Sequence, residues 1–234
     1  MPQAALAAPS AGPDLQSLRS QIDRIDAQLL DLMEERLCRA AAIAACKAGE
    51  DDSPLPLRPA REQQVIDRLT ARARRMPAPA VAAIWRELMG ANLQAQQQIH
   101  IVVHCPAQPV LVTDLARRHF GGAAPIIAAG TAEDALDGAR HRAAIAVIEF
   151  SPLSRWWVQL FHDGQLAIFD CLRDRHGRIA ALVVGRVAAA GDEAFLVLGD
   201  SALRRRIEAG EQLRTLAICG RLRLCVSTGA GARR

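Results

Sequence analysis

The sequence has no tyrosine, and its few phenylalanines and tryptophans bring aromatics to only 3% of 234 residues. A surface that stacks nucleobases is therefore not expected, and the 29 basic residues are nearly balanced by 25 acidic ones, so no nucleic-acid partner is read from the net charge of +4. Lysine is almost missing: Lys47 is the single lysine among those cations. No apolar run approaches the ~20 residues that cross a bilayer, which excludes a membrane partner of that kind. The six cysteines (Cys38, Cys46, Cys105, Cys171, Cys219, Cys225) form no Cys-x-x-Cys pair and have no histidine at ligand spacing. They read as buried thiols of a cytoplasmic protein that holds no metal.

Half of the chain is hydrophobic, much of it alanine, which favours closely packed helices. The texture changes near residues 98–101. Upstream, apolar residues recur at helical spacing; downstream, short Val/Ile/Leu runs alternate with Gly, Pro and Asp. The expected organisation is a flexible leader (1–13), a helical domain (14–98) and a reduced mixed α/β domain (99–230), an α + α/β architecture.

Asp14 can cap a first helix whose Leu15, Leu18, Ile22, Ile25, Leu29 and Leu32 keep a 3,4 spacing. Running to Ala48 before Gly49, it would be roughly 50 Å long, more than a small bundle can cover, so a second copy of the chain is the natural cover. A Pro-rich linker (Ser53, Pro54, Pro56) leads to a second helix opened by Pro59 and bearing Val65, Ile66 and Leu69. The segment Met76–Pro79 closes it, and a third helix to Gln98 carries Val81, Ile84, Trp85 and Leu88 on one face. Downstream, strands are expected at 99–103, 125–129, 144–150, 165–171, 179–187, 194–198 and 215–225, with helices at 112–119, 133–140 and 202–209. Trp156 and Trp157 read as core or interface.

Arg36 continues the apolar spacing, where an unpaired guanidinium costs several kcal/mol unless an anion meets it. Lys47, eleven residues on, returns to nearly the same azimuth about 16 Å further along the axis, so the two cations can clamp a small dianion. Arg19 lies roughly 25 Å before Arg36 and reaches that ligand only from another chain. Two blander readings stand beside this one. Arg36 can be a core arginine paired with Glu35 or Glu62, and Lys47 an ordinary helix-end cation.

These residues, with Leu18-Arg19, Ile22-Asp23, Ile25-Asp26, Leu29-Leu30, Glu35-Arg36, Lys47, Arg58-Pro59-Ala60-Arg61-Glu62 and Gln96 in order, resemble the all-helical chorismate mutases. The resemblance implies an intertwined homodimer of three-helix chains and a cofactor-free Claisen rearrangement of chorismate to prephenate in aromatic amino-acid biosynthesis. It implies substrate contacts from Arg19, Arg36, Arg61, Glu62 and Asn92, with Arg36, Lys47 and Gln96 catalytic. Arg58 stands where some members carry aspartate, and Asn92 where serine is frequent. A fainter likeness links Leu115–Gly121 and Val147–Ser151 to the prephenate dehydratase domain. That domain's Thr-Arg-Phe motif is absent, so a catalytically silent remnant is expected. An isochorismate pyruvate lyase-like enzyme and a non-catalytic dimeric sensor of aromatic metabolites are the alternatives.

Overall fold

The protein is described by a computed structural model over residues 14–46, 55, 57–141, 143–187 and 193–227. The expected leader, most of the Pro-rich linker and Lys47 lie outside these residues.

Three helices come first: α1 (Leu15–Ala45), α2 (Pro59–Arg72) and α3 (Ala78–Gln96). The Asp14 carbonyl accepts the first α1 bond from the Leu18 N–H at 3.0 Å. Proline occupies the first turns of α2 and α3, where its missing N–H costs nothing. Both α1 and α2 pack on α3. That contact covers only part of α1: Met33, Arg36, Leu37 and Ala40 are half-buried, whereas Leu15, Leu18, Ile22, Ile25, Leu29 and Leu32 are 41–62% exposed. The expected face of α3 is covered to a similar degree, with Val81 buried and Ile84, Trp85 and Leu88 half-buried.

Strands alternate with helices from β1 (His100–His104) through α4 (Pro109–Phe120), β2 (Ile126–Ala128), α5 (Ala132–Arg140) and β3 (Ala144–Glu149). Thr131 and Asp134 cap α5 reciprocally, side chain to backbone N–H in both directions. After a 3₁₀ turn (Trp156–Phe161) come β4 (Ala167–Arg173), β5 (Ile179–Gly185), β6 (Ala194–Gly199), α6 (Asp200–Glu208), β7 (Leu213–Cys219) and β8 (Leu222–Ser227). Five strands form one mixed sheet in the order β2-β1-β3-β5-β4, parallel among β1, β2 and β3 and antiparallel beyond. The other three form an antiparallel sheet, β6-β8-β7.

Because β3 is buried on both faces, its side chains divide between two layers. Ala144, Ala146 and Ile148 join α5, Trp157 and the second sheet through Phe195 and Leu224. Ile145 and Val147 join α4 through Val112, Ala116 and Phe120. This second layer also holds Leu57, Leu93 and Ile99, so the helices and the sheet share a core. Leu55 pins the start of α2 to the exit of β5, its N–H donating to the Arg186 carbonyl at 2.7 Å.

Two expectations are corrected. The run 215–225 is a hairpin, β7 and β8, that turns at Gly220, whose φ of +57° only glycine adopts without strain. The cysteines are not uniformly buried: Cys105 and Cys225 are, Cys171 and Cys219 are half-buried, and Cys38 and Cys46 are exposed because nothing described covers that part of the first helix. The tryptophans belong to the core, Trp157 fully buried with its Nε1–H donating to the Ser154 carbonyl at 2.8 Å.

The junction of α3 with the end of α4 is close enough to predict a reversed sign. Gly→Ala inside a helix ordinarily stabilises by about 0.5–1 kcal/mol. A Cβ on Gly90 would lie 2.3 Å from the Phe120 carbonyl oxygen. Gly90→Ala is expected to destabilise the protein by about 1–3 kcal/mol, read as a lower denaturant midpoint; an unchanged or higher midpoint would mean that α3 and α4 do not meet this closely.

Candidate functional site

Of the expected site residues, the structure brings Arg36 and Glu62 together. Arg36 projects from the half-buried side of α1, and its Nη1 is buried with no hydrogen-bond partner among the described residues. Burial pushes its guanidinium below the ordinary value, and the charge of Glu62 on α2 opposes that. Glu35 is not its partner, since that carboxylate pairs with Arg39 one turn on at 3.3 Å. A buried donor left unpaired costs about 1–3 kcal/mol, more when charged, so the position is one that an anion would stabilise.

Glu62 lies in the first turn of α2. Burial raises its carboxyl above the ordinary value, as does the Asp170 charge; His119, the Arg58 backbone N–H and Arg86 pull the other way and do not fully compensate. On α3, Asn92 is buried and Gln96, one turn later, is half-buried. The neighbouring Gln94 is engaged elsewhere, its Nε2 donating to the Ile99 carbonyl at 2.8 Å where the helix ends. Arg61 is exposed. Arg19 is exposed too, seventeen residues and roughly 25 Å up the helix from Arg36, and within one chain it is not brought to the others. Lys47 lies outside the described residues.

Glu62 also lines a cavity of about 550 Å³ between α2, α3, α4 and β4 that contains none of the other expected residues. Its walls carry a network that the sequence reading missed. Arg86 of α3 donates from Nη1 to the His119 carbonyl at 3.2 Å and from Nη2 to Gln63 Oε1 at 3.3 Å. The His119 ring places Nδ1 3.2 Å from the same Nη1 and Nε2 3.0 Å from Asp170 Oδ2. The one local signal was Arg86 itself, which with Glu87 interrupts the apolar stretch from Val81 to Met89. Cys171 in the same wall is no nucleophile, because burial pushes its thiol up to about 12.

Residues 18–97, which take in almost all of α1 and the whole of α2 and α3, match the family described as chorismate mutase type II. The N-terminal helical part is a type II chorismate mutase domain. The bifunctional chorismate mutase/prephenate dehydratase of Pseudomonas aeruginosa is 31% identical over 113 residues, 47% of this chain and 31% of that protein. The protein of the same description from Neisseria gonorrhoeae is 32% identical over 127 residues, 54% of this chain and 34% of that protein. The chain thus matches about a third of the length of these curated relatives. No solved structure matches it, and no described helix is long and apolar enough to cross a membrane. The mutase domain is followed by the mixed α/β region described above.

The raised carboxyl of Glu62 gives a stability prediction with a defined sign. A group that binds its proton more tightly when folded loses its contribution as pH rises from its ordinary value, here 4.5, through the folded one. Glu62→Gln carries no such titration. Its melting temperature relative to wild type is therefore expected to be higher at pH 7 than at pH 4, by thermal melts at both. A difference independent of pH would show that Glu62 ionises as freely in the fold as in the unfolded chain.

Proposed function

We propose that this protein is a chorismate mutase, converting chorismate to prephenate in aromatic amino-acid biosynthesis without a cofactor, and that it works as a homodimer. The observation that carries the reading is the buried Arg36 Nη1, a donor with no hydrogen-bond partner among the described residues although the charge of Glu62 bears on its guanidinium, in a domain of this family.

Chorismate is a flexible dicarboxylate that reacts only when its enolpyruvyl arm folds over the ring. Arg36 would fork one carboxylate and Arg19 of a second copy the other, holding that conformer so that its ordering is not required at the moment of reaction. The ether C–O bond then breaks as the new C–C bond forms, within one molecule and with no proton transferred. Negative charge grows on the ether oxygen, where Lys47 and the Gln96 amide would serve as fixed donors. Glu62 would accept a hydrogen bond from the ring hydroxyl, Asn92 would hydrogen-bond the substrate beside Gln96, and Arg61 would set the charge at the pocket's edge.

The second copy is supported by α1, whose apolar stripe is uncovered over its first half. It is supported equally by Arg19, which one chain cannot bring to Arg36. The α/β region is read as silent toward prephenate, because the Thr-Arg-Phe motif is absent from it.

Arg19→Ala and Arg36→Ala chains, each expected to be inactive, test the shared pocket when unfolded together and reassembled. Heterodimers place both wild-type arginines in one of their two pockets, so about a quarter of wild-type mutase activity is expected from a random mixture in which half the dimers are mixed. A reassembled mixture as inactive as its parents would overturn the shared pocket.

A further inference from the structure

The mutase reading leaves the region after residue 98 without a role, yet Arg86 and Glu87 of α3 are taken up by the end of α4 and the turn after it. Glu87 Oε2 accepts the Gly122 N–H at 2.8 Å. Arg86 spans the junction, bonded on one side to the His119 carbonyl and on the other to Gln63, the residue next to Glu62. The fit around this pair is tight. Gly121 has φ +80°, and a Cβ there would come within 3.1 Å of the Arg86 carbonyl oxygen, while Gly90 meets the Phe120 carbonyl one turn further along α3. Helix α3 and the end of α4 therefore have little freedom to slide past each other.

His119 is itself braced. An arginine N–H can only donate, so in the neutral ring Nδ1 accepts from Arg86 and the Nε2–H donates to Asp170. Protonation would cost the Nδ1 bond but keep both the Asp170 bond and the bond from Arg86 to the His119 carbonyl. Asp170 is fixed in turn, its Oδ1 accepting the Cys171 N–H at 2.7 Å. In either state of the ring, β4 and α4 hold the Arg86 guanidinium against α2.

Resting on the mutase reading, we propose that Arg86 and His119 are positioning residues for Glu62, and that the α/β region serves the mutase site by holding Arg86 beside the first turn of α2. The charged groups that bear on Glu62 are Arg36 from α1, Arg86 from α3, His119 from α4 and Asp170 from β4, together with the Arg58 N–H at the start of its own helix. Burial favours the neutral acid, and Arg86 and His119 are the side chains that counter it from across the cavity. The α/β region is thereby a fixed wall behind a substrate-binding carboxylate.

The test uses the full-length chain with Arg86→Gln, His119→Asn and, as control, Arg118→Gln. Arg118 lines the same cavity but its side chain pairs with Asp114 at 2.8 Å and has no hydrogen bond or ion pair to these groups among the described residues. Arg86→Gln and His119→Asn are expected to lower kcat/KM for chorismate about tenfold, neither lowering it further in a Glu62→Gln background, while Arg118→Gln stays at wild type. Independently of turnover, the carboxyl ¹³C titration of Glu62, assigned by its loss in Glu62→Gln, is expected to move to higher pH in Arg86→Gln and not in Arg118→Gln. Unchanged kcat/KM in folded variants, losses that add to that of Glu62→Gln, or an unmoved Glu62 titration would each overturn the proposal. A wild-type chain that does not convert chorismate would overturn the mutase reading instead, and the Glu62 titration would still decide whether Arg86 acts on it.

Discussion

A helix of 31 residues cannot be covered by partners of 14 and 19. At 1.5 Å per residue α1 extends about 46 Å, against about 21 and 28 Å for α2 and α3, so part of its apolar stripe must face solvent or another molecule. The six aliphatic side chains of that stripe, Leu15, Leu18, Ile22, Ile25, Leu29 and Leu32, are exposed as a result. Single exposed aliphatics need no explanation, but a continuous row of them along one helix does. The same geometry explains why Arg36 is half-buried where α1 is covered while Arg19, further up, is exposed. A pocket assembled from both arginines would require two chains, and the uncovered stripe is the surface through which two such chains would meet.

The other end of the bundle is closed differently. Leu57 and Leu93 enter the same apolar layer as Ile101, Val147 and Phe169 of the sheet, and Gly90 lets the backbone of α4 approach α3 with no side chain between. Helix α3 thus has two obligations, to α1 and α2 on one side and to α4 on the other. Its polar residues divide accordingly: Asn92 and Gln96 are the ones read into the substrate pocket, Arg86 and Glu87 the ones engaged by the α/β region.

Much of this was legible in the sequence where the signal is local. The 3,4 spacing of Leu15 to Leu32 marked α1, the prolines at 59, 77 and 79 marked the helix starts, and the Val/Ile/Leu-rich runs at 144–150 and 179–187 marked the central strands. Arg36 stood out because a cation in an apolar spacing is costly wherever it occurs. The hairpin at Gly220 was overlooked because β7 and β8 are both apolar and only two residues separate them. The Arg86–His119–Asp170 network was not legible at all. Its members come from α3, α4 and β4, and nothing in local spacing states that these elements converge on the first turn of α2. The exposure of Cys38 and Cys46 likewise follows from how far the neighbouring helices reach along α1, which depends on their packing.

The most direct measurement is product identification with the purified full-length chain, supplied separately with chorismate and with isochorismate and followed by NMR. Chorismate is expected to be consumed with prephenate as the product, and isochorismate to release no pyruvate. Pyruvate released from isochorismate with chorismate left intact, or neither compound consumed by folded protein, would contradict it.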